Sequence, residues 1–379
     1  MFQINEPIYV SPYKEPKVWG LNGIGEYWYG AEFGDRSSKA SIKKEKVSLG
    51  HLVSQYPEEV LGKKVVLKYG KFLPLIKILT PAKRLSVQFH DAKNELWVVT
   101  GIEKKIAGRK PSIIIGFSND SVRRYGKKVS LKYGEALKAF GAKLNRLILE
   151  MEDAGYTGTM NAERDVIAAA RQVKKESIRI KLGEVLKAEK KVNGFYHREK
   201  VGSGDVIPVP QGTLHALSAG VEVLEPQIAG PTQSLEDGAT YPVRYFFPDY
   251  PVRGAEKRLD LDRVDEINPR VWKKETPALL WDSDGIRVER LPGGFEKKGM
   301  QVNRISLKKG AVCNYRSIAS YKYLTLLSGE AETITLGGSF KIPVLKPGGQ
   351  LLLVPACVRN FEIKAAADSE IIVTFTPVS

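Results

Sequence analysis

The chain has 379 residues, of which 42% are hydrophobic and 9% aromatic, with 35 glycines, 21 prolines and two cysteines, Cys313 and Cys357. That make-up excludes a disordered chain and suits a folded one of two or three domains rich in short strands and turns; the cysteines stand in no metal or redox spacing, which excludes a disulfide framework. Lys and Arg number 59 against 43 Asp and Glu, a formal net charge of +16, which favours anionic partners or, as simply, a solvated basic face.

The basic residues are scattered, as in Arg123-Arg124-Tyr125-Gly126-Lys127-Lys128, and no nucleic-acid module accompanies them. No apolar run reaches the ~18 residues of a membrane-spanning helix. Met1 to Glu6 lacks a basic start followed by an apolar core, so no signal peptide and a cytoplasmic location are expected.

In chain order, residues 1 to about 40 carry Trp19-Gly20 and Gly25-Glu26-Tyr27-Trp28-Tyr29-Gly30, aromatics alternating with small or polar residues, and read as short strands. Ser48 to Leu61 reads as a surface helix that includes His51. Phe72 to Leu79 is an apolar run with one lysine, Lys77. A charge there must find a partner, reach water from a strand end, or face an anion.

Leu85 to Thr100 holds the first candidate site. Strand alternation points Gln88 and His90 one way and Val87 and Phe89 the other. Glu95 follows five residues after His90, just before the apolar Leu96-Trp97-Val98-Val99. A strand, a turn and a second strand thus bring an amide, an imidazole and a carboxylate together, a donor set that suits a divalent ion such as Zn²⁺; a hairpin with polar residues facing solvent has the same pattern. More strands are expected from Gly101 to about Val129, among them Pro111 to Phe117. Apolar residues at helical spacing over Tyr133 to Glu152 and Glu163 to Glu189, separated by Gly155-Tyr156-Thr157-Gly158-Thr159, make 131–190 a helical insert.

His197 has no partner at ligand spacing and reads as a packing residue. Gly204-x5-Pro210-x-Gly212-x2-His215 is a strand, a tight turn and a strand that delivers a histidine. Glu222 and Glu225 follow. They are three apart, so an unbroken strand turns only one of them inward. Tyr241-Pro242-Val243-Arg244-Tyr245-Phe246-Phe247 is an aromatic strand whose Arg244 either stacks on its neighbours or grips an anion. Arg253 to about Lys274 reads as a charged connection around a helix, and Ala278 to Ser379 is strand-rich again.

Gln88, His90, Glu95 and Gly101 with Gly204, Pro210, Gly212 and His215 have the joint spacing of the cupin barrel, with glutamine in place of the usual first histidine. The same template fits the C-terminal strands: from Gly310 the ligand positions fall on Arg316, Ile318 and Tyr323, with Gly329 after them, and from Gly349 Pro355 fits while Cys357 and Asn360 take the glycine and histidine positions. No usual metal ligand remains there. The fold class expected is therefore mainly β with a helical insert, in two cupin-type β-barrels: a first over 1–130 and 191–265, the insert at 131–190, and a degenerate second over 266–379.

Through Trp19-Gly20, Gly25-Glu26-Tyr27-Trp28, Pro74-Leu75-Ile76-Lys77, Leu85 to His90, Lys93-Asn94-Glu95, Pro210 to Leu217 and Val243-Arg244, the chain resembles the type I mannose-6-phosphate isomerases over most of its length. The resemblance implies one Zn²⁺ held by Gln88, His90, Glu95 and His215, and an aldose–ketose isomerisation between mannose 6-phosphate and fructose 6-phosphate through an enediolate. That reaction needs positive charge for a developing oxyanion, a general base near C2 and a clamp for phosphate. Arg244 and Lys93 are the expected enediolate stabilisers and Glu225 the expected proton carrier, with Glu222 as second candidate or substrate contact. Lys77 and Ser86 are expected to contact phosphate or ring hydroxyls. An unphosphorylated aldose as substrate, or a sugar-binding protein that keeps the metal without turnover, are the alternatives.

Overall fold

The computed structural model describes residues 4–30, 36–42, 45–70, 74–108, 110–156, 158, 163–229, 240–243, 261–316 and 320–378. In chain order its first strands and helices are β1 (Ile8–Ser11), β2 (Tyr13–Leu21), β3 (Ile24–Tyr29), β4 (Lys39–Ile42), β5 (Glu45–Ser48), α1 (Leu49–Gln55), α2 (Pro57–Leu61), α3 (Lys63–Tyr69), β6 (Leu75–Leu79), β7 (Gln88–His90), β8 (Lys93–Ile102), α4 (Lys104–Ala107) and β9 (Ser112–Phe117). A helical stretch follows, α5 (Asn119–Tyr125), α6 (Val129–Asp153), α7 (Glu163–Gln172) and α8 (Glu176–Asn193), and then β10 (Tyr196–Lys200), β11 (Val206–Val209), β12 (His215–Ala216), β13 (Val221–Ala229) and β14 (Thr240–Pro242). The remainder is strand: β15 (Ala278–Ser283), β16 (Ile286–Arg290), β17 (Gln301–Leu307), β18 (Val312–Arg316), β19 (Lys322–Ser328), β20 (Ala331–Thr335), β21 (Gly338–Lys341), β22 (Leu351–Val354), β23 (Asn360–Ala365) and β24 (Ser369–Phe375).

The strand order shows an internal repeat. One sheet runs β11-β8-β13-β6-β3-β2 and another contains β22-β19-β24-β17-β16-β15, the same order with every strand advanced to its later counterpart. The smaller sheets repeat likewise, β10-β9-β12-β7 against β21-β20-β23-β18. In each unit the large and small sheets share one apolar core. Trp97, Ile113, Ile115 and Val223 belong to the first, and Ile305, Leu324, Ile363 and Val373 to the second. The opposite faces of the two large sheets meet each other through residues such as Ile78, Leu96, Leu224, Tyr323, Leu353 and Ile372. The outer face of the first small sheet is covered by α6 to α8, where Phe89 and Ile114 pack with Phe140, Leu144 and Val185.

Several local readings change. The helical stretch begins at Asn119, earlier than 131, because Ser118 caps α5 by accepting from Ser121 N, so only part of Gly101 to Val129 is strand. The apolar spacing from Val173 to Ile178 is five, which leaves the helical face, and the helix expected over 163–189 is two, α7 and α8. Ser48 to Leu61 divides at Tyr56 because Pro57 opens α2 and disfavours a helical residue before it. β1, β4 and β5, near the N-terminus, extend the second unit's large sheet through the pairing of β1 with β22.

Register also tests the C-terminal template. His215 stands opposite Gln88, and Asn360 opposite Arg316, so those two positions correspond. Glu95 is opposite Val209, which precedes Pro210, whereas Lys322, not Tyr323, is opposite Val354, which precedes Pro355. The connection from Arg316 is one residue shorter than that from Gln88, which turns Tyr323 to the other face of the sheet. Ile318 lies outside the described residues.

Lys322 is thus the counterpart of a carboxylate, and it is 2% exposed. Its ammonium donates to the Ser320 carbonyl at 2.9 Å and lies 4.4 Å from the Phe375 ring centroid. Burial pulls its pKa from 10.5 down to about 7. Between those values the folded state binds fewer protons than the unfolded chain, so this lysine's cost is full below about pH 7 and vanishes as pH rises towards 10.5. Lys322→Met is therefore expected to stabilise the protein at neutral pH, on the order of 2 kcal/mol, with a gain that disappears near pH 10.5. Thermal denaturation of both proteins across that range checks it; a gain independent of pH would contradict the titration account.

Candidate metal centre

β7 sends Gln88 and His90 to one face of its sheet, and the two-residue connection Asp91-Ala92 starts β8, on which Glu95 turns back towards them. His215 is brought in by the turn after Pro210. Gly212 sits there at φ +74°, where a Cβ would come within 3.2 Å of the Glu266 carbonyl, and its N–H donates to the His90 carbonyl at 2.6 Å. Glycine is needed for that conformation and that contact. The turn therefore ties the strand carrying one histidine to the residue carrying the other.

Ligating atoms of His90, Glu95 and His215 all lie within 4.8 Å of one another, and all three residues are buried. His215 Nδ1–H donates to the Thr213 carbonyl at 2.7 Å, which leaves Nε2 as the lone-pair nitrogen. Gln88 places its side-chain amide 3.4 Å from that Nε2; amide nitrogen and oxygen exchange places by a half-turn, so Gln88 can present Oε1 to the same point. Burial holds His215 below its ordinary range, and burial with Lys93 beside it takes His90 down to about 3. Two neutral imidazoles, one carboxylate and one amide oxygen fit a borderline divalent cation.

The surrounding charges are paired. Glu95 Oε1 is 3.2 Å from His90 Nε2 and accepts from Lys93 Nζ, and Glu95 Oε2 accepts from the Trp97 indole at 3.0 Å. Against the cost of burial, Lys93 and the two histidines hold the Glu95 carboxyl well below its ordinary range. Lys93 also donates to Gln227 Oε1 at 3.2 Å. Lys77 neither reaches out from a strand end nor stands alone: it lies 3.4 Å from Glu26 and 3.9 Å from Glu225, over the Trp28 ring at 5.1 Å. These carboxylates outweigh its burial, and its pKa is raised.

Glu225 lines the cavity and Glu222 does not. β13 runs unbroken through both and alternates as expected: Val221 and Val223 enter the core on the same side as Glu225, and Glu222 turns with Leu224 to the other face, the register shift against β8 leaving that alternation intact. Glu222 instead accepts from Thr100 Oγ1 at 2.8 Å in a separate depression beside Gly101 and Gly220. Glu225 is 3% exposed, and burial together with Glu95 pushes its carboxyl up to about 8. Ser86, Gln88, Lys77, Lys93, Glu95 and Glu225 line one cavity of about 170 Å³. Arg244 lies outside the described residues. Val243 before it is held against β7 by its N–H to the Val87 carbonyl at 3.0 Å. His51 is exposed, and His197 pairs with Glu199 at 3.2 Å, both apart from the site.

Sequence reasoning missed Glu26, Trp97 and Gln227. The last two carried a usable signal, since Trp97 is two residues from Glu95 and Gln227 two from Glu225, the period that puts side chains on one face. Glu26 had none, because its meeting with Lys77 depends on the pairing of β3 with β6.

No protein-family model and no curated protein matches the sequence. Solved structures do match in fold. The mannose 6-phosphate isomerase from Bacillus subtilis is 16% identical, over 97% of this chain and 99% of that one, with a TM-score of 0.61. A point mutant of phosphomannose isomerase from Salmonella typhimurium is 14% identical over 98% and 100%, with a TM-score of 0.65. A zinc-bound mannose 6-phosphate isomerase gives the same identity, coverage and TM-score. At these identities the likeness is one of fold.

The Glu225 shift sets a pH test. Its pKa is raised from 4.5 to about 8, so the folded state keeps a proton that the unfolded chain releases between those values, and stability falls as pH rises through the window. In metal-free protein Glu225→Gln is expected to be close to neutral near pH 4.5 and stabilising by on the order of 1–3 kcal/mol near pH 8. Urea denaturation in the presence of chelator measures it, and a difference that does not grow with pH would refute the assigned burial cost.

Proposed function

We propose that this chain is a metal-dependent aldose–ketose isomerase of two cupin-type units, interconverting mannose 6-phosphate and fructose 6-phosphate through an enediolate. The observation that carries the reading is one cavity lined by the Gln88, Glu95 and His215 donors, with His90 clustered beside them, and by a buried carboxyl, Glu225, able to hold or release a proton near neutral pH. The fold shared with mannose 6-phosphate isomerases supports it.

Gln88, His90, Glu95 and His215 would hold Zn²⁺, which supplies positive charge to the sugar oxygens when bound. Glu225 takes the proton from one of C1 and C2 and returns it to the other, a task suited to an acid whose pKa lies near the working pH. Lys93, inside the cavity, and Arg244, next in the chain to Val243, stabilise the charge that develops on the oxygens. Ser86 and Lys77 contact the hydroxyls or the phosphate. The Glu222 carboxylate, placed elsewhere, has no part in this reading.

One observation favours a second reading. The three cavity lysines, Lys17, Lys77 and Lys93, each have a carboxylate within 4 Å: Glu15, Glu26 and Glu95 respectively. A neutral aldose asks less of such a balanced site than a phosphate dianion does. Metal analysis with parallel assays on fructose 6-phosphate and fructose separates the two. The expected result is about one zinc per chain, with turnover and C2 proton exchange on the phosphorylated sugar. Turnover on fructose alone would establish the second reading, and binding without proton exchange would reject both. His215→Ala is expected to lose most of the zinc and more than about 100-fold in activity; wild-type zinc content and turnover in that variant would sink the site assignment.

A further inference from the structure

Trp97 lies two residues beyond Glu95 on β8, so its ring enters the same cavity. The ring is 2% exposed and meets His215 edge-on, with centroids 5.4 Å apart and planes at 77°. Packing alone would be served by any large apolar side chain. What distinguishes indole is one N–H donor and no acceptor. That N–H points between two carboxylates on neighbouring strands: Nε1 is 3.0 Å from Glu95 Oε2 and 3.1 Å from Glu225 Oε2.

The geometry divides each carboxylate in two. Glu95 gives Oε2 to the indole and Oε1 to His90 and Lys93; Glu225 gives Oε2 to the indole and turns Oε1 to Lys77 at 3.9 Å. A buried carboxylate has few rotamers that satisfy it, and two that share a single donor cannot turn independently. The side chain of Glu225 is therefore fixed relative to Glu95 by one proton, in a cavity where a misplacement of about 1 Å costs on the order of 100-fold in rate.

We propose that Trp97 is a positioning residue whose indole N–H clamps the carboxylate of Glu95 to the carboxyl group of Glu225, and so sets the proton-carrying group against the metal-ligand set. The catalytic part of this rests on the isomerase reading. The clamp itself does not.

The test replaces the N–H while keeping the ring. Trp97 is exchanged site-specifically for β-(3-benzothienyl)alanine, in which sulfur stands where the N–H was, and in parallel for phenylalanine in case the analogue fails to fold. In metal-free wild-type protein, the indole proton resonance that is absent from Trp97→Phe is expected to shift and to exchange faster with solvent in Glu225→Gln. In the zinc-loaded protein the analogue is expected to keep wild-type zinc stoichiometry and to lose about 10- to 100-fold in kcat, with KM changed by less than about threefold. An indole resonance indifferent to Glu225→Gln, or an analogue with wild-type kcat, would overturn the proposal. A wild-type protein without turnover on hexose phosphates, whose indole proton still responds to Glu225→Gln, would end the isomerase reading and leave the clamp established.

Discussion

Glu95 is a carboxylate with 2% of its surface exposed, and keeping it ionised governs how the first unit is built around it. A buried charge is tolerated only when it is paired and hydrogen-bonded on all sides. Here both oxygens are engaged by Lys93, His90 and Trp97, each brought by a different turn or strand position. The consequences spread outward: Lys93 needs Gln227, Trp97 also reaches Glu225, and Glu225 stands beside Lys77, which needs Glu26. Removing one member strands another charge in low dielectric. Such a network specifies its geometry more sharply than apolar packing does, because every partner has a direction. A cation at the two imidazoles adds one more partner to a carboxylate already held in its charged form.

The repeat shows how little of this the scaffold itself requires. The second unit keeps the strand order of the first and the cross-strand pair at the ligand positions, Asn360 opposite Arg316. It replaces Glu95 with Lys322, whose ammonium leans on a backbone carbonyl and a phenyl ring. A depression in the second unit, lined by Leu280, Ile286, Val288, Asp284 and Asn314, has none of the Lys, Glu and His cluster that lines the cavity of the first. With the outer faces of the two large sheets packed on each other, the second unit contributes burial to strands β6, β8 and β13, on whose other face the site is mounted. One architecture thus carries a buried charged cluster in one copy and not in the other, since chemistry resides in side chains placed on a fold and not in the fold.

How much of this was legible in the sequence follows from the range of the interactions. Gln88, His90 and Glu95 are close in sequence and joined by a short turn, so strand alternation alone brings them to one place. His215 is distant, but the turn chemistry of Pro210 and Gly212 marks the strand that carries it. The same alternation separates Glu222 from Glu225, three apart on one strand, so that only Glu225 lines the cavity. The partner of Lys77 was hidden, because Glu26 is brought to it by the pairing of β3 with β6, which leaves no trace in the residues themselves. The one-residue displacement from Tyr323 to Lys322 shows that spacing templates carry an error of one wherever a connection changes length, and in a strand an error of one inverts inside and outside.

Gln88 is where local chemistry and site chemistry meet. A histidine there would be a stronger ligand for a borderline metal, but a third imidazole beside His90 and His215, whose ring centroids already lie 4.9 Å apart, would add another group that burial must keep neutral. An amide brings an oxygen donor that carries no charge and does not titrate. An amide oxygen is a weaker donor to such a metal than an imidazole nitrogen, and it adds no charge to a cavity whose lysines are already paired with carboxylates. A neutral, non-titrating donor at this position adds no charge beside Glu225, whose carboxyl burial and Glu95 already push up to about 8.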